Sequence, residues 1–250
     1  MFSEGGLNIV ENHLELVAKS YDKGIDLGRR GIDLYKELPE HIRNNPGYPL
    51  FQKMQMDGIL SDSGRQEIID YLSPTTDMNF IDLGCCLNLM FGGYNKWPST
   101  YYGVDISSKT IQLLHEFVAK NNLTIGSLYC GSMHETPFDT NFFEIGACIG
   151  SLEYFEKDFV EKAIIEVYRI LKPYAKFVLD VPDIGSPECE ITMVIEEYLG
   201  RTDKFDMSSY EFEDMLEDYF EIEIKEKVGP MIQYFLSCKK LWSERMEKSL

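Results

Sequence analysis

"NFIDLGCCLNLMFGG", residues 79–93, carries the reading of this chain. A short apolar run ends at Asp82, the chain turns at Gly84, and Cys85 and Cys86 stand where a nucleotide-binding loop has small residues. A strand followed by a glycine turn and then a helix start is the entry to an α/β sheet, in which ligands bind beyond the carboxyl ends of the strands. Gly84 can turn sharply, and Asn88 is the non-glycine residue type that best tolerates a left-handed backbone. The loop from Gly84 to Asn88 is therefore the first candidate for a ligand site.

The rhythm downstream fits that entry. Short apolar runs at "NFIDLG", "YYGVDI", "TIGSLYC", "FEIGACIG" and "AKFVLDV" alternate with amphipathic stretches. "SSKTIQLLHEFVAK" sets Ile111, Leu114 and Val118 on one helix face, and "KDFVEKAIIEVYRILK" does the same with Val160, Ile164, Val167 and Leu171. Such alternation specifies a parallel sheet between two helical layers, with strands buried on both faces. Near the end, Ser208 and Glu211 have capping-box spacing, and "YFEIEIKEKV" and "QYFLSCKKL" read as a hairpin turned by Gly229-Pro230.

Residues before Pro74 look different. Leu7, Val10, Leu14 and Val17 share a helix face, Gly24, Gly28 and Gly31 weaken the helix beyond them, and Pro39, Pro46 and Pro49 with Asn44-Asn45 mark a loop. A last helix is expected from Ser63, capped by that hydroxyl with Gln66 reaching back, to Leu72. No strand is expected in this segment.

Composition narrows the partners. With 24 Lys+Arg against 42 Asp+Glu the net charge is −18, a surface that repels a phosphate backbone, so nucleic acid is disfavoured. "MFSEGGLNIVENHLELV" has acids and no basic region before its apolar residues, and no run approaches the ~18 apolar residues of a spanning helix. The expectation is a cytoplasmic protein without a membrane partner. The six cysteines lack CxxC spacing, which suggests neither a disulfide framework nor a metal site.

A carboxylate at the tip of the second strand, Asp105, is placed to accept hydrogen bonds from ribose hydroxyls. With it, the chain resembles the class I S-adenosylmethionine-dependent methyltransferases of the small-molecule type. Asp82, Gly84 and "YGVDIS" carry the resemblance, together with "GSMHETPFDTNFFEIGACIGSLEYF" and "RILKPYAKFVLDVPD", which resembles the family's "LKPGG" turn and fifth strand. The resemblance spans roughly residues 65–240.

It implies an α/β fold with a doubly wound, mostly parallel seven-stranded sheet, a C-terminal antiparallel hairpin and an N-terminal helical cap. The domains would be 1–72, a lid, and 73–250, the cofactor-binding unit. The implied cofactor is S-adenosyl-L-methionine and the implied partner a small-molecule acceptor. Gly84, Cys85 and Cys86 would line its methionine end, Asp82 would orient its amino group, and Asp105 would hold the ribose, with Ile106 beside the adenine. Ser132 and Met133 fall at the adenine edge, and Cys148 at the tip of the fourth strand.

The chain departs from the family pattern at Cys86 and Asn88, where glycine is common, and at Ser132, where an acid is usual. Other residues carry two readings each. Cys85 and Cys86 are inert buried thiols or a redox or metal pair. His134 is a base or a loop residue, and His115 a helix residue. Tyr21 and Tyr48 are core or acceptor-pocket aromatics, Arg65 a methionine-carboxylate ligand or an ion-pair partner. Glu153 and Tyr154 lie on the rim where an acceptor would be. A non-catalytic module of the same fold and a protein methyltransferase remain alternatives, while the loop lacks the GxGxxG spacing of a dehydrogenase.

Overall fold

The structure, a computed structural model, describes residues 4–36, 38–60 and 65–240. Helices α1 (Glu4–Arg29), α2 (Glu40–Arg43), α3 (Tyr48–Met56) and α4 (Gln66–Leu72) precede strand β1 (Asn79–Leu83). There follow α5 (Asn88–Phe91), β2 (Thr100–Asp105), α6 (Ser108–Asn121), β3 (Ser127–Cys130), β4 (Phe143–Cys148), α7 (Lys157–Ile170) and β5 (Leu171–Pro182). Helices α8 (Pro187–Tyr198) and α9 (Ser209–Glu217) and the hairpin β6 (Phe220–Val228) and β7 (Met231–Cys238) complete the described elements.

The seven strands lie in the order β3-β2-β1-β4-β5-β7-β6. β1 pairs in parallel with β2 and with β4, and β7 joins β5 and β6 in antiparallel fashion. The order reverses between β1 and β4, so the crevice opens over their carboxyl ends. This is the expected doubly wound sheet with its hairpin, and Ser208 and Glu211 form the capping box of α9.

Strand alternation sorts the core into two layers. Ile81 and Leu83 face Val160, Ala163, Ile164 and Val167 of α7. Phe80 faces the other way, onto Ile68 and Leu72 of α4 and Ile111 and Leu114 of α6. A third cluster joins Phe51 and Met54 of α3 to Ile191 and Ile195 of α8, laying the N-terminal segment over the helix that follows β5.

Several local expectations give way to packing. α1 runs through Gly24 and Gly28 to Arg29 instead of fading. At Gly24 a Cβ would lie 2.9 Å from the Arg201 guanidinium, so the missing side chain admits a tertiary contact that outweighs helix propensity. Pro49 does not break structure but sits in the first turn of α3, where its lost N–H is unneeded. Ser63, the expected cap of α4, lies outside the described residues, as do the side chains of Leu7 and Val10. α4 starts at Gln66, whose amide bonds forward to Asp70 at 2.7 Å. β5 begins at Leu171, earlier than the apolar run, with an irregular register before Lys176. Among the described residues no helix is long and apolar enough to cross a membrane.

Candidate active site

The turn after β1 is built by backbone geometry. Gly84 has φ +67, and a Cβ there would stand 1.9 Å from the Ser151 hydroxyl, so the β1 turn and the loop after β4 meet at van der Waals range only because position 84 has no side chain. The Cys85 N–H donates to the Val104 carbonyl at 2.9 Å, tying the turn to β2. Cys86 then adopts φ +38, a left-handed backbone that explains why glycine suits this position, and donates its N–H to Asp105 Oδ2 at 2.8 Å.

Asp105 is gripped on its other side as well, where Oδ1 accepts from the Ser107 N–H at 2.8 Å. Burial raises its carboxyl, the two N–H donors hold it down, and Asp22 of α1 raises it further. Ser107 caps α6 by accepting from Thr110 at 2.9 Å and donates its own hydroxyl proton to Asp22 at 2.5 Å. One serine thus joins the nucleus of α6 to the helix that crosses above it.

A cavity of about 510 Å³ runs along this edge. Gly84, Cys86, Asn88, Asp105, Ile106, Ser132 and Met133 reach its wall, bringing seven of the ten expected residues together. The other three lie behind it. Cys85 is wholly buried against the α4 and α6 layer, and Cys148 packs its sulfur 3.9 Å from that of Met133. Asp82 is fully buried, accepts from the Tyr101 hydroxyl at 2.9 Å and meets the Asn88 amide at 3.4 Å. Burial pushes its carboxyl to about 7, against the pull of Tyr101 and Asn88. Its geometry braces the turn from below.

The residues with two readings separate. Ser132 Oγ and His134 Nδ1 are 2.6 Å apart, and the His134 ring lies 4.9 Å from that of Phe159; burial lowers its pKa. His115 is exposed on α6. Tyr48 stacks on Phe51 in the third cluster, whereas Tyr21 lines the cavity. Arg65 also lines it, while pairing with Glu67 at 2.5 Å and with the Gln233 side-chain carbonyl. The six cysteines form no disulfide.

Beyond Gly84 the wall changes character. Glu153 and Tyr154 after β4, Asp180 of β5, Glu196 of α8, and Arg201 and Asp203 after it all reach the cavity. The Tyr154 and Tyr21 hydroxyls are 3.0 Å apart, and His13 of α1 donates to the Tyr154 carbonyl at 2.5 Å. The Lys204 and Phe205 N–H groups both bond the Glu153 carbonyl, fixing the rim loop to the segment after α8. Asp180 had a legible signal, an acid inside the apolar run "FVLDV"; Arg201 and Asp203 lie in a stretch without periodicity and had none.

A family model described as a methyltransferase domain matches residues 81–179, from β1 to β5. Over that segment the chain is similar to methyltransferase domains, and its sheet has the Rossmann-like methyltransferase order.

No curated protein sequence matches the chain. Among solved structures it is similar to the PH0226 protein of Pyrococcus horikoshii OT3, at 19% identity and TM-score 0.58, over 82% of this chain and 98% of that one. It is similar to geranyl diphosphate C-methyltransferase of Streptomyces coelicolor A3(2), at 14% identity and TM-score 0.58, over 81% and 83%. That structure is a complex with Mg2+, geranyl-S-thiolodiphosphate and S-adenosyl-L-homocysteine. A SAM dependent methyltransferase of Aquifex aeolicus is similar at 16% identity and TM-score 0.53, over 76% and 97%. At these identities the likeness is one of fold.

Proposed function

We propose that the chain binds S-adenosyl-L-methionine along the carboxyl edge of β1 and β2 and directs its methyl group to a small acceptor held in the same cavity. The observation that carries this reading is the Asp105 carboxylate, set into the wall of a cavity beside a turn that has no side chain at Gly84. The residues present suit the donor. Each Asp105 oxygen accepts one backbone N–H and keeps a further lone pair for a ribose hydroxyl. Ile106 and Met133 supply apolar surface for a purine, and Ser132 a hydroxyl at its edge.

The bound donor would supply a sulfonium-activated methyl group. The chain's own task is then orientation and exclusion of water, since an aligned nucleophile in a dry pocket removes most of the entropic barrier. Residues 1–72 serve as the cap in this reading. α1 is fastened over the cavity by Asp22 to Ser107, Tyr21 to Tyr154 and Lys109 to Asp26. A cavity of about 510 Å³ is of the size that holds a small acceptor beside the donor. A cytoplasmic setting, with the thiols reduced, belongs to the same reading.

Isothermal titration of the full chain with S-adenosyl-L-homocysteine tests it. A micromolar dissociation constant is expected; no binding below the millimolar range, or tighter binding of NAD, would refute the proposal.

A further inference from the structure

We propose that the acceptor is an amine that enters as its ammonium ion and yields a proton to Glu153 before it is methylated. The inference rests on the methyl-transfer reading above and names the substrate class that the far end of the cavity selects.

That end is a carboxylate chamber. Glu153, Asp180, Glu196 and Asp203 reach it from four separate segments, against two guanidinium groups. Both guanidinium groups are engaged: Arg201 pairs with Glu196 at 3.1 Å, and Arg65 with Glu67 and Gln233. Two carboxylate oxygens, Glu153 Oε2 and Asp203 Oδ1, are buried and have no hydrogen-bond partner. A buried acceptor without a donor is costly, and a donor on a bound ligand would relieve that cost.

An ammonium group offers three donors and a positive charge, the kind of partner that each orphan oxygen lacks. An alcohol offers one donor and no charge, and a carboxylate or diphosphate would be repelled by the chamber. The net charge of −18 favours approach of a cation from outside.

The chemistry balances. An ammonium nitrogen has no lone pair, so an N–H bond first breaks, its electrons staying on nitrogen while the proton forms an O–H bond on the Glu153 carboxylate. The nitrogen pair then forms the N–C bond as the C–S bond breaks and its electrons pass to sulfur, leaving a neutral thioether and a methylated ammonium. Burial first, and then the charge of Asp180, push the Glu153 carboxyl well above the ordinary range, which makes its ionised form a stronger base. The groups that surround it are Asp180 of β5, Cys148 of β4, Glu196 of α8, Arg201, Asp203, Tyr154 and Tyr21 of α1.

The test is a matched set of probes, phenethylamine, 2-phenylethanol and phenylacetate, titrated into the full chain with and without saturating S-adenosyl-L-homocysteine. The expected result is a dissociation constant for the amine at least tenfold below those of the alcohol and the acid. Titration in buffers of different ionisation enthalpy should also show a proton released as the ammonium binds, because Glu153 ionises beside it. The isosteric Glu153→Gln should cost the amine tenfold or more, abolish the proton release and leave homocysteine-nucleoside affinity unchanged; Asp203→Asn should weaken the amine alone in the same way. Equal binding of the three probes, an unaltered amine affinity in both variants, or turnover of geranyl diphosphate with Mg2+ would overturn the proposal. Failure of the nucleoside to bind would instead sink the methyl-transfer reading, and the probe titrations without it keep the two failures apart.

Discussion

The Asp105 carboxylate is clamped between two backbone donors, the Cys86 N–H on Oδ2 and the Ser107 N–H on Oδ1, each at 2.8 Å. One donor belongs to the turn after β1 and the other to the N-cap of α6, so this side chain joins the two elements that border the cavity. Its orientation is fixed before any ligand arrives, and ordering costs at binding are correspondingly small.

Asp105→Ala should therefore lower affinity for S-adenosyl-L-homocysteine by about ten- to a hundredfold, the worth of one or two charge-assisted hydrogen bonds. Calorimetric titration measures it. An unchanged dissociation constant would mean that the ribose lies elsewhere.

Gly84→Ala should destabilise the fold by roughly 1–3 kcal/mol, because its left-handed φ and the 1.9 Å approach of Ser151 Oγ act together. The urea midpoint reports this. Adding Ser151→Gly should return only the steric share and leave the backbone share in place; full recovery would show that φ at position 84 is not strained by alanine.

How much of this was legible depended on what kind of force placed each element. Strands β1 to β5 and helices α6 and α7 were written in periodicity because each buries a continuous apolar face, and the hairpin in its Gly229-Pro230 turn. The continuity of α1 was not legible, because Gly24 is set by Arg201, far away in sequence. The site divided in the same way. Asp105 and Gly84 follow from strand-end position, whereas the placement of Asp82 and Cys85 behind the wall depends on which sheet face their side chains take. Arg201 and Asp203 reach the cavity from the segment after α8, a helix that packs on α3 through residues distant in sequence.

Two positions where the resembling family favours glycine hold other residues with left-handed backbones here, Cys86 at φ +38 and Tyr174 at φ +62. Tyr174 is exposed, so little packing offsets its strain. Tyr174→Gly should raise the urea midpoint or leave it unchanged, with a gain of about 1 kcal/mol at most, since relief of about 1–2 kcal/mol of left-handed strain is countered by backbone entropy. Tyr174→Ala keeps the strain and should give no such gain. Equal midpoints for the glycine and alanine variants would show the turn relaxed with any side chain.

Asp82 sets a pH dependence of stability whose sign comes from its burial. Its carboxyl stands at about 7 in the folded chain, raised by burial from an ordinary value of 3.8. Between those values the folded chain holds a proton that the unfolded chain has lost, so this contribution is complete below the lower value and is lost as pH rises through the upper one. From pH 5.5 to pH 8 the group should cost about 2 kcal/mol. Asp203, also raised to about 7 by burial and by the charge of Glu196, adds a slope of the same sign. Asp82→Asn keeps the shape and can still accept from Tyr101, but it cannot ionise. Its urea midpoint should fall less than the wild type's between the two pH values, leaving the slope that Asp203 supplies. If both proteins lose the same stability over that interval, Asp82 is already ionised at pH 5.5, and the brace beneath the turn is a carboxylate held by Tyr101 and Asn88 instead of a neutral acid.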